Sequence, residues 1–180
     1  MTELASPGQL RAALLRWSLV LVPGTLLLGF LSSRFGSSRS AWFDALVKPE
    51  IYPPPAAFGI VWSLLYVAMG FALALVVSAR GARLRGVAIA AWAVQFALNL
   101  AWTPVFFGAH QMSAGLIVIA VLDVAVLVTL VLFFRVRKLA GWLLVPYLAW
   151  VLFATLLNYA FLMANPGADG AQGAVSRVAI

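Results

Sequence analysis

Five long apolar runs, separated by more polar connections, dominate the chain. They cover residues 12–31, 56–79, 86–107, 113–134 and 139–164, and each is about as long as the roughly 20 residues that a helix needs to cross a bilayer core. Hydrocarbon offers no partner for backbone groups, so a spanning segment is either a helix or a strand of a closed barrel. None of the runs alternates as barrel strands do. The pattern predicts an all-α integral membrane bundle of five transmembrane helices.

The connections divide the chain further. Residues 1–11 form an N-terminal extension, and residues 32–55 form the only long connection between spans. The prolines at 53–55 prevent a helix there, while residues 41–47 fit a short amphipathic helix on the membrane surface. The other connections are short, so successive helices are expected to run antiparallel. The Gly-rich tail at 165–180 is predicted to be disordered.

The composition excludes several classes of protein. Charged residues are 9% of the chain, against about 25% in soluble domains, and the mean hydropathy is +1.05. The net charge of +7 comes from basic clusters between apolar runs, which is typical of membrane-protein loops and argues against nucleic-acid binding. With no cysteine and only one histidine, His110, no metal site is expected. The first run is interpreted as a retained helix rather than a signal peptide, because it is long enough to span and has Pro23-Gly24 at its middle.

The distribution of lysine and arginine predicts the orientation. Eight of the twelve basic residues fall on one side of the membrane, and these are Arg11, Arg16, Arg80, Arg83, Arg85, Arg135, Arg137 and Lys138. The other side has Arg34, Arg39, Lys48 and Arg177. By the positive-inside rule the N-terminus is cytoplasmic and the long first loop lies outside. A bacterial cell membrane is the expected location.

The third span carries a polar and aromatic stripe. Four residues at helical spacing define it: Gln95, Asn99, Trp102 and Phe106. An amide that faces lipid costs free energy, so the stripe is predicted to face the bundle interior. The simpler alternative to a ligand site is a hydrogen bond between helices, worth about 0.6 kcal/mol on average.

Aromatic stripes recur on two other spans. The second has Trp62, Tyr66 and Met69, and the fifth has Pro146, Trp150, Phe153 and Leu157, with Asn158 nearby. We expect the tryptophans at 62, 102 and 150 to converge beneath the first loop. A ring-walled cavity with one or two amides suits a large, flat, mostly apolar ligand such as a porphyrin or a hydrophobic drug, although the rings could equally fill a core. Interfacial belts are a sufficient explanation for three other tryptophans, Trp42, Trp92 and Trp142.

Four stretches carry a more specific signal. They are AWFDALVKP at 41–49 with the prolines that follow, FGIVWSLLY at 58–66, QFALNLAWTPVFFG at 95–108, and PYLAW with ATLLNY between 146 and 159. In content and order they resemble the first loop and the second, third and fifth helices of the TspO/MBR family. The resemblance runs from about residue 12 to residue 164.

The resemblance implies a five-helix bundle, often dimeric, with a ligand cavity roofed by the first loop. Members of the family bind tetrapyrroles such as protoporphyrin IX and synthetic benzodiazepine-site ligands, and no cofactor is required. Carried over by position, Trp62 and Asn99 hydrogen-bond the ligand, and Trp102, Trp150 and Ala154 form the walls. Together with the stripes, this gives ten candidate ligand-binding residues: Trp62, Tyr66, Gln95, Asn99, Trp102, Phe106, Trp150, Phe153, Ala154 and Asn158.

The predicted function is binding of a tetrapyrrole or another hydrophobic molecule for sensing, transport or disposal. The chain has no evident activated nucleophile or acid–base pair, so enzyme activity is not expected. One alternative, implied by some relatives, is light- and oxygen-dependent porphyrin breakdown with Trp62 and Trp150 as electron donors. Another alternative is a small-molecule exporter, in which Asp123, the only acid inside a span, would be the coupling group.

Three features depart from the family pattern or extend it. Ile51 stands where the family often has tryptophan, which removes one ring from the roof of the cavity. Asp123 is not a family feature, and we interpret it as a neutral or hydrogen-bonded acid at a helix contact in preference to a functional group. Small residues at four-residue spacing on the third span fit a homodimer interface, although packing within one chain would use them as well; they are Ala93, Ala97 and Ala101.

Overall fold

The structure, a computed structural model, describes residues 7–36, 38 and 40–170. Within them the regular elements are helical. Five long helices and one short one follow in chain order as α1 (Pro7–Ser32), α2 (Ala41–Ala45), α3 (Pro55–Ser78), α4 (Arg85–Thr103), α5 (Met112–Val136) and α6 (Lys138–Ala164). All but α2 are long and apolar enough to cross a membrane, which confirms the five-helix prediction.

The ends of the helices follow from local sequence. The Ser40 side chain caps α2 by accepting a hydrogen bond from the Phe43 amide at 3.2 Å. Pro55 occupies the first turn of α3, where its missing N–H has no cost. Helix α4 changes at its end into a π-helical turn, Pro104–Gly108, because Pro104 cannot donate to the preceding turn. Arg85 then closes the tight α3–α4 connection by donating from Nε to the Val77 carbonyl at 2.9 Å.

The bundle is held by close helix contacts. Helix α1 packs mainly on α3, α4 on α5, and α5 on α6, while α3 also contacts α6. Gly70 sets the approach of α3 to α1, because a Cβ there would lie 2.6 Å from Thr25 Oγ1 and 2.8 Å from the Leu21 carbonyl oxygen. Thr25 also donates toward the Tyr66 carbonyl at 2.9 Å, which bonds the two helices directly.

Three sequence-based expectations need correction. Trp42 and Trp92 are buried and do not belong to an interfacial belt, whereas Trp142 is 63% exposed and fits one. The N-terminal extension is shorter than predicted, since α1 begins at Pro7. The tail is ordered as far as Gly170, because its polar groups bind the first loop and the start of α5; residues 1–6 and 171–180 lie outside the described part.

Candidate ligand-binding cavity

A cavity of about 480 Å³ lies between the five long helices at the end that carries the first loop. Its wall takes residues from every long helix, and its roof comes from the first loop. Eight of the ten predicted residues line it: Trp62, Tyr66, Asn99, Trp102, Phe106, Trp150, Ala154 and Asn158. The prediction that the tryptophans at 62, 102 and 150 converge beneath the first loop is therefore confirmed.

The rings of the wall are ordered by contact with each other. Trp62 stacks on Tyr66 with ring centroids 5.3 Å apart, one helical turn along α3. Trp102 stacks on Phe106 at 5.0 Å across the end of α4. Trp150 of α6 meets the edge of Phe58 at 5.8 Å. These offset and edge contacts fix flat surfaces around an open space, which is the arrangement that a planar aromatic ligand can extend.

Two amides lie among the rings. Asn99 accepts a hydrogen bond from the Tyr66 hydroxyl at 3.1 Å. Asn158 accepts one from Trp102 Nε1 at 3.1 Å and donates one to the Met112 carbonyl at 2.9 Å. The amides thus orient the rings beside them. The indole N–H of Trp150 is buried and has no hydrogen-bond partner within the described part of the chain.

Two of the predicted residues do not reach the cavity. Gln95 is fully buried and accepts a hydrogen bond from the Tyr147 hydroxyl at 2.9 Å, so it joins α4 to α6 as the simpler alternative supposed. Phe153 packs beside Trp150 at 5.4 Å and supports that ring from outside the cavity. Helical spacing places both residues on the interior stripe, but it does not give their depth in the bundle.

The roof was largely missed by sequence reasoning. Its rings are Phe43 and Tyr52, and they pack against three rings at the helix ends, Phe58, Phe107 and Phe161. Ile51 is 48% exposed and outside the cavity, while its neighbour Tyr52 packs on Phe58 at 5.5 Å and on Phe161 at 5.6 Å. A ring is therefore present at the next position along the loop. The signal in the sequence was the density of aromatic residues around the prolines at 53–55.

Lys48 and Asn165 hold the roof in place. The Lys48 ammonium donates to the carbonyls of Phe43 and Leu46 and lies 4.0 Å from the centre of the Phe43 ring. Partial burial lowers the pKa of Lys48, and the nearby Asp44 carboxylate acts in the opposite direction. Asn165 binds the loop at Val47, accepting from its amide at 2.8 Å and donating to its carbonyl at 3.0 Å.

The described lining of the cavity contains no charged side chain. Its polar groups are hydroxyls, indoles and amides. In the described residues there is also no group of three or more histidine, cysteine or acidic side chains that could hold a metal ion. The site is thus suited to binding by ring stacking and a few hydrogen bonds.

Comparison with known proteins agrees with this geometry. Residues 19–164 match the model of the TspO/MBR family. The chain belongs to the TspO/MBR family. It is 42% identical to protein CrtK of Rhodobacter capsulatus over 72% of this chain and 82% of that protein. It is 41% identical to tryptophan-rich protein TspO of Chlorobaculum tepidum, over 78% and 90% respectively, and 39% identical to the translocator protein of Homo sapiens, over 79% and 86%.

The TspO/MBR match covers all of the predicted site residues and stops before the segment that fastens the loop. That segment, residues 165–170, lies beyond the match at residue 164. It joins three parts of the molecule at the roofed end. Trp42 Nε1 donates to the Ala168 carbonyl at 3.2 Å, and Asp169 accepts from the Ser113 amide at 3.1 Å. In this TspO/MBR protein the roof is therefore fastened by residues on both sides of the family boundary.

Proposed function

We propose that this multi-pass membrane protein binds a tetrapyrrole, such as protoporphyrin IX, or another large, flat, hydrophobic molecule in the cavity. The observation that carries the proposal is an uncharged space of about 480 Å³ that all five long helices line, with aromatic rings from α1, α3, α4 and α6. That volume lies within the range of roughly 300–1,000 Å³ typical of small-molecule sites. An apolar ring system would stack on the walls, and the hydroxyls and amides of the lining would bind its few polar atoms.

The biological role we propose is sensing, transport or disposal of such a molecule. Two of its relatives carry names that support roles of this kind, the translocator protein of Homo sapiens and the tryptophan-rich sensory protein of Cereibacter sphaeroides. The cavity also lies close to one end of the bundle, beneath a loop that would have to move for a ligand to enter. A ligand that partitions into the bilayer would find this end without crossing the packed half of the protein.

Quenching of tryptophan fluorescence by protoporphyrin IX, in purified protein kept in the dark, tests the binding proposal. We expect saturable quenching at micromolar ligand in the wild type. Asn99→Ala and Trp150→Phe should each raise Kd by about tenfold, since each removes about 1.4 kcal/mol of ring or hydrogen-bond interaction. Trp142→Phe is the matched control, because Trp142 is exposed, does not line the cavity and lies about 12 Å along the α6 axis from Trp150.

Two outcomes separate binding from partitioning. Non-saturable quenching that is identical in all four proteins would mean that the pigment dissolves in detergent, and the proposal would be wrong. Saturable quenching that is weakened only by Trp142→Phe would place the pigment on the outer surface of α6 and would also contradict it.

A second candidate is an enzyme that breaks down porphyrin with light and oxygen. It is favoured by the presence of Trp62 and Trp150 in one cavity wall, where both rings could give electrons to an excited pigment. Light-dependent product should then be lost in Trp62→Phe and Trp150→Phe under conditions that saturate binding. Equal product yield in these variants and in the wild type would reject the enzyme and leave the binding protein.

The orientation is a separate proposal, with the N-terminus in the cytoplasm and the roofed end outside. It rests on the basic residues of the α3–α4 and α5–α6 connections. Since the chain has no cysteine, single-cysteine variants report sidedness directly. A membrane-impermeant maleimide on intact cells should label Glu50→Cys and not Arg83→Cys. The reverse pattern would invert the assignment.

We also propose a homodimer formed through α4. Its small residues at 93, 97 and 101 are exposed on the single chain, so packing within the bundle does not use them. Disulfide formation between copies of Ala97→Cys in lipid would support this interface. Monomer alone in lipid, under conditions where an inserted surface cysteine still reacts, would reject it.

A further inference from the structure

Asp123 is an acid within the membrane-spanning part of α5 that ligand binding does not explain. It lies near the middle of α5, about 16 Å along the helix axis from the residue at 112. Its side chain is half-buried at the contact between α5 and α6, and the cavity is lined by its neighbour Leu122 and not by Asp123 itself. An ionisable group at this depth is rare without a function.

The carboxyl group has a single hydroxyl neighbour on α6. Thr155 Oγ1 lies 2.8 Å from Asp123 Oδ2 and 3.1 Å from the carbonyl oxygen of Val151. Asp123 Oδ1 is buried and has no hydrogen-bond partner among the described residues. The three polar groups therefore form a short row from the acid, through the hydroxyl, to a backbone carbonyl.

Counting hydrogens along this row distinguishes the two charge states. The Thr155 hydroxyl has one hydrogen and the Val151 carbonyl has none to give. If Asp123 is ionised, the hydroxyl can serve either the carboxylate or the carbonyl, but not both. If Asp123 carries a proton, its O–H donates to Thr155 Oγ1 and Thr155 donates to Val151. Only the neutral acid uses both short distances at once.

The surroundings offer nothing to balance a negative charge. The stretches 112–134 and 139–164 contain no lysine, arginine or histidine, and the basic residue nearest in sequence along α5, Arg135, is about 18 Å away. Among the described residues, the titratable group that interacts with Asp123 across the helix contact is a phenol, Tyr147 on α6, and this phenol donates to the neutral Gln95 of α4. A carboxylate with one unpartnered oxygen would be an isolated charge here.

We propose that Asp123 is a proton-binding site within the membrane. At neutral pH it is a carboxylic acid that donates its hydrogen to Thr155, and this acid is open to reagents that arrive from lipid. Access from lipid follows from the partial exposure of Asp123 itself and from its neighbours on the outer surface, since Val124 is 62% exposed and Leu152 and Leu156 are 49% and 63% exposed. The site is independent of the proposed tetrapyrrole site, because neither the proton on Asp123 nor the hydrogen bonds through Thr155 to Val151 require a ligand.

A protonated carboxyl group in lipid undergoes a specific chemical modification. A lipid-soluble carbodiimide reacts with a protonated carboxyl: the acid hydrogen moves to one nitrogen, the carboxyl oxygen bonds to the central carbon, and the O-acylisourea rearranges to an N-acylurea. No group leaves, so the adduct has the summed mass of protein and reagent. A carboxylate without its proton does not begin this addition.

Infrared spectroscopy of the wild type in lipid at neutral pH is the direct test. We expect a carboxylic acid C=O band at a higher frequency than the amide bands. This band should come from Asp123 alone, because the other four acids, Glu3, Asp44, Glu50 and Asp169, stand outside the apolar runs. Asp123→Asn should remove the band. Thr155→Val should shift it, and Thr155→Ser, which keeps the hydroxyl, should leave it in place. Absence of a band that depends on Asp123 would overturn the proposal.

Modification with dicyclohexylcarbodiimide provides the second readout. Mass spectrometry should find one adduct on α5 in the wild type and none in Asp123→Asn. A water-soluble carbodiimide with an amine should instead modify loop acids such as Asp44 and Glu50. Labelling of the loop acids alone by both reagents would contradict a lipid-accessible protonated acid. Porphyrin binding is not measured in either test, so failure here leaves the proposed function unaffected.

Discussion

The two ends of the bundle are built differently, although the helices that form them are apolar along most of their length. At the end with the α3–α4 connection, every residue of α3 from 72 to 78 is buried, and the space between helices is filled. At the end with the first loop, the first ten residues of the same helix are all half-buried or exposed. There several of them line the cavity of about 480 Å³.

Side-chain shape accounts for the difference. At the filled end, small residues of α3 such as Ala72 and Val76 alternate with large side chains from α5 and α6, among them Phe133 and Leu144, so that the surfaces interlock. At the roofed end the facing side chains are mostly rings, which are rigid and meet edge-to-face or with an offset. Rigid rings enclose a space more readily than they fill it.

The packing that stabilises the fold and the proposed binding cavity therefore lie at opposite ends of one bundle. An unfilled space costs stability, because the atoms around it lack contacts. The filled end supplies those contacts and keeps the five helices in register. The roofed end can then remain open without collapse. Substitutions at the two ends should therefore have different effects.

The largest expected effect is a loss of stability from truncating a ring at the filled end. Phe133 is fully buried, and Phe133→Ala should lower the free energy of unfolding by about 3–5 kcal/mol. Phe58→Ala removes the same ring from the cavity wall and should cost less than about 1 kcal/mol, because the site is already open. Reversible unfolding in mixed micelles measures both. Equal losses would mean that the two ends are not distinct in packing.

The next effect is a loss of binding without a loss of stability. Ala154 lines the cavity, so Ala154→Phe places a ring in the open space and should weaken tetrapyrrole binding by at least about tenfold, or 1.4 kcal/mol. Ala149 is exposed on the same helix and makes Ala149→Phe a matched control with unchanged affinity. Fluorescence quenching measures affinity, and thermal unfolding should be similar for both. Unchanged binding in Ala154→Phe would place the ligand elsewhere.

Much of the fold was predictable from the sequence because the bilayer imposes a length. The fourth span, predicted at 113–134, is Met112–Val136, and the fifth, predicted at 139–164, is Lys138–Ala164. The interior stripe of α4 was predictable from its 3.6-residue repeat, and Asn99 and Phe106 are indeed buried. Where the chain is helical and surrounded by hydrocarbon, the sequence pattern alone is sufficient to predict the span and its interior face.

The roof and its fastening were not predictable in the same way. Irregular segments have no period, so nothing in the sequence distinguishes Tyr52, which points into the cavity wall, from Ile51, which does not. The Gly-rich composition after Asn165 indicates disorder, but single hydrogen bonds to distant residues order it as far as 170. Helical spacing also does not give the depth of a residue within the bundle. Gln95 therefore shares a face with Asn99 and still lies outside the cavity.

A smaller effect should follow from unfastening the roof. Asn165→Ala removes the hydrogen bonds to both backbone groups of Val47 and to the Phe161 carbonyl. Loop opening should become easier by about 1 kcal/mol, or about fivefold in the exchange rate of amides at 46–52. Hydrogen exchange measures this, and amides in the middle of α5 provide the internal control. Unchanged loop exchange would mean that Lys48 and the Trp42–Ala168 hydrogen bond hold the roof without Asn165.

The smallest expected effect concerns the ionisation of the Tyr52 phenol in the roof. Partial burial, with a lesser contribution from the Asp44 carboxylate, raises the pKa of Tyr52 above its ordinary 10.0. The neutral phenol therefore stabilises the closed roof below about pH 10, and this contribution is lost as the pH rises through the raised value. The lowered pKa of Lys48 changes stability in the opposite direction over the same alkaline range, so stability alone would not isolate Tyr52. The difference in phenolate absorbance between the wild type and Tyr52→Phe, measured against pH, isolates it. Its midpoint should exceed 10.0 and fall in Asp44→Asn, whereas a midpoint at or below 10.0 would place the Tyr52 ring in water and remove it from the roof.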